Sequence, residues 1–424
     1  MKSDRRRLPQ KAGLRSAAAW ILDRDLTKVR REFPIVGRCV YLISNSLGAM
    51  PRSARFRLQE FISVWEREGV TAWQKEWWDL GLRVGDRLAK LIGASAGQVT
   101  MMNNATQAHW VALSTQFLPS ARGRRHKVVM SDQDFPSSLY AVEALGRAMG
   151  WQTLVVPASR TGLDPDPLLR AIDDKTLFVA TSHVHFKTSS IQDIKAVCRR
   201  ARSLGALTLI DGYHAPGVIP VDVRELGADF YIGGCLKWLC GGPGTAFLYV
   251  RPEIAATAKP LLAGWAGHRR PFLFSAKLDY APKSARFQSG TPAVPCLYAA
   301  QAGLEIIERI GLPQIRRKSL KLTGKIMDLA EERGFPLLTP RESNQRGGHV
   351  AFHVPHAFQL KQALEAKGIK LDYRKGGEDE PDLLRVGPHF YNKEEEVEVL
   401  FRELDRLRSS GAYKKYSSSV KSVT

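Results

Sequence analysis

From about residue 84 the sequence alternates short apolar runs with amphipathic segments, and that alternation restricts the fold more than any other feature. "VGDRLAKLIGA" has its apolar residues at helical spacing. "HKVVMS" then reads as a strand, "SSLYAVEALGRAMG" as a helix and "QTLVVPA" as a strand. "DPLLRAIDDK" precedes "TLFVATSHV", and "IQDIKAVCRRARSLG" precedes "ALTLIDGYH". Repeated β–α units with short, continuously apolar strands predict an α/β chain with a mostly parallel sheet, covered by helices on both faces. Ligands of such sheets bind beyond the carboxyl ends of the strands. Three strand ends therefore stand out: "ATSHVHF", "LIDGYH" and "GGCLK".

After about residue 290 the pattern changes to long helical segments around the short runs "GHVAFHV" and "LLRVG", which predicts a smaller α+β domain. The expected organisation is an N-terminal arm over 1–48, a large domain over 49–290, a small domain over 291–411 and a flexible tail over 412–424. The first twenty residues are basic and Ala-rich, but acidic residues at 4, 23 and 25 and the lack of an apolar stretch argue against a targeting peptide.

The net charge of +21 comes from short scattered clusters such as Arg5–Arg7 and Arg316–Lys318. None alternates with aromatics as a nucleic-acid stacking platform does, so no nucleic-acid partner is expected. No apolar run approaches the roughly 20 residues a membrane helix needs. The five cysteines are odd in number and lack paired metal-ligand spacing. They read as reduced thiols of a cytoplasmic protein without a metal site.

Chemistry concentrates in "GADFYIGGCLKWLCGGPGTAFLYV", residues 227–250. Lys237 falls between two apolar strand candidates, after Gly233-Gly234 and before a glycine-rich turn. Asp211 ends the strand "ALTLID". A buried ammonium or carboxylate is costly without a partner or a purpose. One reading is a plain ion pair between the two. The other is pyridoxal 5′-phosphate (PLP), which takes a lysine Schiff base at its carbonyl and an anion at its ring nitrogen. Its phosphate needs N–H donors, and "MMNNATQAHW" offers a strand end, then Asn104-Ala105-Thr106 opening a helix. Phe135 in "DQDFPSS" is a candidate to stack on the ring.

These residues and several further motifs resemble one family. "YLISNSLGAMP", "DFPSSLYAVE", "SHVHF", "DGYHAPG", "GWAGH" and "LRVGPHFYN" occur in the order found in kynureninases, within the fold-type I, class V aminotransferase superfamily. The similarity runs from about Tyr41 to Leu407. It implies a fold-type I PLP enzyme with Lys237, Asp211 and His214 as catalytic residues. It implies cofactor contacts from Ala105, Thr106, Phe135 and Ser138, and substrate contacts from Arg385, Asn45 and Ser46. Trp265 and Thr291 would complete the phosphate site of a neighbouring subunit, so a homodimer acting on a small-molecule amino-acid substrate is implied.

Departures from the family accompany the matches. Leu236 stands where kynureninases carry a tyrosine, Gly290 where they carry an asparagine, and Ser138 where they carry an aspartate. "RFQSGTP" is similar instead to the Gly-Thr-Pro segment of cysteine desulfurases. A desulfurase nucleophile is not expected, because the small domain's "YRKGGEDEPD" has no cysteine. Two reactions stay open: kynureninase-type hydrolysis at Cβ–Cγ, and transamination, epimerisation or β-elimination of another amino acid or modified peptide. Both start by removing the Cα proton.

Overall fold

The structure, a computed structural model, describes residues 26–116, 124–158, 164–376 and 381–418. The basic first 25 residues and the last six of the tail lie outside the described residues. Strand β1 (Val40–Tyr41) precedes the seven members of the main sheet. These are β2 (Val99–Met102), β3 (Lys127–Ser131), β4 (Gln152–Val156), β5 (Thr176–Ser182), β6 (Leu207–Asp211), β7 (Phe230–Gly234) and β8 (Ala246–Val250). Their order across the sheet is β2-β8-β7-β6-β5-β3-β4. Only β8 runs against its neighbours, β2 and β7.

Strands β3, β5, β7 and β8 are buried at every residue, which is why they read as unbroken apolar runs. Alternate side chains serve two cores. Tyr231, Phe247 and Tyr249 face one, with Leu88, Leu297 and Leu304. Phe230, Ile232 and Leu248 face the other, with Val111, Val142 and Leu145. Two layers of helices thus cover the sheet, as the β–α alternation predicts.

A smaller unit follows. Strand β9 (Val350–His353), β11 (Asp372–Arg374) and β12 (Leu383–Val386) form an antiparallel sheet in the order β11-β12-β9. Its core joins Phe352 to Ile326, Leu360 and Phe401 of the helices Leu312–Glu331, Ala357–Ala366 and Glu394–Ser410.

Three boundaries differ from expectation. The helix Val294–Ile310 packs its apolar face into the large-domain core beside Val84 and Leu88, so the small domain begins after Gly311 rather than at 291. Residues 40–48 are no peripheral arm. β1 pairs in parallel with β10 (Ile369–Lys370), Ile43 bridges to Gly387, and Leu42 is fully buried in the small-domain core. The tail begins as a packed turn, because Tyr413 is buried in that core and the Gln359 and Gln362 side-chain amides donate to the carbonyls of Tyr416 and Ser417.

Candidate active site

The carboxyl ends of β5, β6 and β7 converge on a cavity of about 220 Å³. Asp211, 8% exposed, closes β6 and has no cation within ion-pairing distance among the described residues. Its carboxylate accepts the Ser138 hydroxyl at 3.2 Å and the Tyr213 amide at 2.9 Å. Ser138 is delivered by the first turn of the helix Pro136–Met149, whose opening proline has the φ a helix start requires. Ser138 is thus a neutral donor to Asp211.

Lys237 follows β7 at the floor of the cavity. Its Nζ lies 2.6 Å from His214 Nε2, 4.7 Å from the Tyr213 ring centroid and 5.8 Å from that of Phe135. Burial first, then the nearby Arg385 guanidinium, push the Lys237 ammonium down to about 7. Burial, with Lys237 next, likewise holds His214 well below the ordinary histidine range, so its ring is neutral. No Asp211–Lys237 ion pair forms, and the plain structural reading of those two residues is set aside.

The helix Ala105–Leu113 aims its start at the same cavity. Asn104 caps it by accepting the Gln107 amide at 2.8 Å, leaving the first-turn amides of Ala105 and Thr106 without an intrahelical acceptor. Phe135 stands at the rim, edge-on to Phe186 at 5.3 Å.

Other expected residues lie elsewhere. Arg385 is 1% exposed and does not line the cavity. It is ion-paired to Asp372, and it donates to the Phe186 carbonyl. Asp372 also holds Arg374 at 2.6 Å and accepts the Asn45 amide at 3.3 Å. Asn45 is therefore a support for that buried cluster rather than a cavity residue, and Ser46 only closes a turn through its amide to Ile43. What the Asn-Ser-Leu-Gly segment brings to the site is Gly48. Its amide donates to the Leu236 carbonyl at 2.9 Å. A Cβ there would stand 2.0 Å from the Lys237 carbonyl oxygen.

Thr291 and Gly290 line a second cavity of about 140 Å³ with Trp78, Asn103, Gln107 and Ser289. Trp265 sits beside it in an aromatic cluster, 4.8 Å from Trp78 and 5.8 Å from Phe274. Within one chain these groups do not meet Lys237. Sequence reading also passed over His109, a buried histidine of the cavity wall that donates through Nδ1 to the Ala105 carbonyl at 2.9 Å. Its place on an apolar helix face gave no signal apart from the ring itself.

The residues fit PLP. A near-neutral lysine amine, a carboxylate lacking a cation and open helix amides surround one cavity. The buried His214 Nδ1, which has no partner among the described residues, adds a further polar atom. The family described as Aminotransferase class-V matches residues 65–400.

The chain belongs to the aminotransferase class V family.

It is a PLP-dependent enzyme. A kynureninase of Pseudomonas fluorescens is 33% identical over 398 residues, covering 90% of this chain and 93% of the relative. A kynureninase of Burkholderia pseudomallei is 35% identical over 382 residues, covering 87% and 89%. Among solved structures, the apo cysteine desulfurase of Thermococcus onnurineus NA1 superposes with a TM-score of 0.79 at 22% identity, covering 90% of this chain and 98% of that one. That likeness describes the fold of this class V enzyme.

Proposed function

We propose that this class V enzyme is a kynureninase-type hydrolase, cleaving the Cβ–Cγ bond of an amino acid with a γ-carbonyl to release alanine. The supporting observation is the 33–35% identity to kynureninases over about nine-tenths of both chains. PLP seated in the cavity supplies an electron sink for the substrate's Cα. The amides of Ala105 and Thr106 would hold its phosphate and Phe135 its ring. Asp211, steadied by Ser138 and the Tyr213 amide, holds the ring nitrogen's proton. Lys237, half neutral near pH 7, accepts the Cα proton, and the neutral His214 beside it takes or returns that proton.

Arg385 is the carboxylate-binding residue of this reading, with a planar fork suited to the task. It reaches the substrate by giving up the Phe186 carbonyl while Asp372 keeps its position. The active unit is a homodimer, in which Trp265 and the Gly290–Thr291 segment complete the partner's phosphate site. Their exposed apolar surroundings, Phe272, Leu273 and Phe274, support this arrangement.

Leu236 and Gly290 favour a second reading, transamination, epimerisation or β-elimination of another amino acid, because they remove a phenol and an amide from the family's site. Purified holoenzyme tested with L-kynurenine, 3-hydroxykynurenine and a panel of amino acids separates the two. Alanine with an anthranilate supports hydrolysis. Keto acid, the D-amino acid or pyruvate without an anthranilate overturns it.

A further inference from the structure

We propose that Tyr213 is the proton donor of this cavity, its phenol serving the substrate's Cβ in place of the hydroxyl that Leu236 lacks. The inference rests on the hydrolase reading above and adds a residue to it. Tyr213 and Leu236 both line the cavity around Lys237. The Tyr213 ring lies 4.7 Å from Lys237 Nζ, within reach of whatever that amine serves. Its backbone amide is bound to Asp211, so the ring is fixed relative to the base of the site.

The end of β7 is shaped around this phenol. A Cβ on Gly234 would stand 2.2 Å from the Tyr213 Cζ and 2.3 Å from its hydroxyl oxygen. Gly234 has no positive φ to require glycine. Its missing side chain is explained by the tyrosine tip that occupies the space, two residues before Leu236. The bond from Tyr213 to Asp211 is made by the backbone amide and does not use the phenol proton. Burial, with Cys235 and Asp211 next, raises the phenol above its ordinary value and keeps it protonated at neutral pH.

The step balances as a proton transfer. The electron pair left on Cβ when Cβ–Cγ breaks forms a C–H bond, and the phenol O–H pair stays on oxygen. The phenolate then regains a proton from water. Positioned proton donors of this kind contribute on the order of 10²–10⁴ in rate.

The test uses holoenzyme in D2O with L-alanine, following deuterium at Cα and Cβ by NMR. Exchange at Cα reports Lys237 and the proposed function, and exchange at Cβ reports the donor. The unaltered protein should exchange both. Tyr213→Phe, which keeps the ring against Gly234, should lower the ratio of Cβ to Cα exchange by about 10²–10⁴. Leu236→Tyr added to Tyr213→Phe should restore it. A ratio unchanged in Tyr213→Phe overturns the inference alone, as does Cα exchange without Cβ exchange in the unaltered protein. Absence of Cα exchange overturns the hydrolase reading and this inference with it. Independently of turnover, the phenolate absorbance difference between the PLP-free protein and its Tyr213→Phe variant should appear only above the ordinary tyrosine value of about 10. A midpoint below neutral pH would leave no proton to give, and would overturn the assignment.

Discussion

Lys237 Nζ and His214 Nε2 are 2.6 Å apart, and both groups are driven towards neutrality by the same buried surroundings. One shared proton between two neutral nitrogens is cheaper in that setting than two charges. In the proposed reaction this pair receives a proton from carbon and passes it on.

Covalent capture of PLP by Lys237 follows from this. The neutral amine is the nucleophile, so for the PLP-free protein the rate of capture should rise with pH to a midpoint near 7 and level off above it. An ordinary lysine would keep accelerating towards about 10.4. Stopped-flow absorbance measures the profile. Lys237→Ala should show no borohydride-fixed adduct by mass spectrometry, and an adduct on another lysine would refute the assignment.

Asp211→Asn should keep the fold, since Ser138 and the Tyr213 amide can still bond an amide oxygen. It should lower Cα-proton exchange by on the order of 10²–10³, the loss expected when a preorganised electrostatic partner is removed. Ser138→Ala should cost less, because the Tyr213 amide remains. Turnover of Asp211→Asn close to that of the unaltered enzyme would place the ring-nitrogen partner elsewhere.

Asp372 pairs with two arginines at a site where it is itself fully buried. Asp372→Ala leaves Arg385 buried without its carboxylate, and should destabilise the chain by about 3–5 kcal/mol. Chemical denaturation measures this. A loss under about 1 kcal/mol would mean that the pair behaves as a surface ion pair.

Gly234→Ala should reduce PLP binding or stability through collision with the Tyr213 tip. Tyr213→Phe should not relieve the defect, because Cζ as well as the hydroxyl is too close. Tyr213→Ala should relieve it. Thermal unfolding of the four proteins in this cycle gives a coupling energy, and additivity would contradict the contact.

The holoenzyme should sediment as a dimer, and dilution to monomers should release PLP as Trp265 and Thr291 leave the partner's site. A monomer retaining full cofactor occupancy would refute the shared site.

Much of the sheet was legible because β3, β5, β7 and β8 are buried on both faces and so carry uninterrupted apolar residues. Lys237 and Asp211 were legible for the same reason, as charges placed at the ends of such runs. The neighbours of Arg385 were not. Asp372 lies on the adjacent antiparallel strand and Phe186 follows β5, and nothing local in either segment announces a buried ion pair. Asn45, expected from likeness to contact substrate, donates to Asp372 instead, and it is Gly48 whose backbone reaches the strand end before Lys237. The Tyr213–Gly234 contact joins two strand ends, and its trace in the sequence was a second glycine in "YIGG" with no turn to demand it.

β1 pairs with β10, and Leu42 fills a core built almost entirely from the last third of the chain. The ribosome therefore makes this strand long before its partners exist. The large sheet can assemble as it emerges, but the segment through Gly48, whose amide holds the Leu236 carbonyl, has no strand partner for β1 until the small domain arrives. Completion of the catalytic floor is thus tied to completion of synthesis: a chain stopped short of Ile369 holds its lysine on an unfinished shelf.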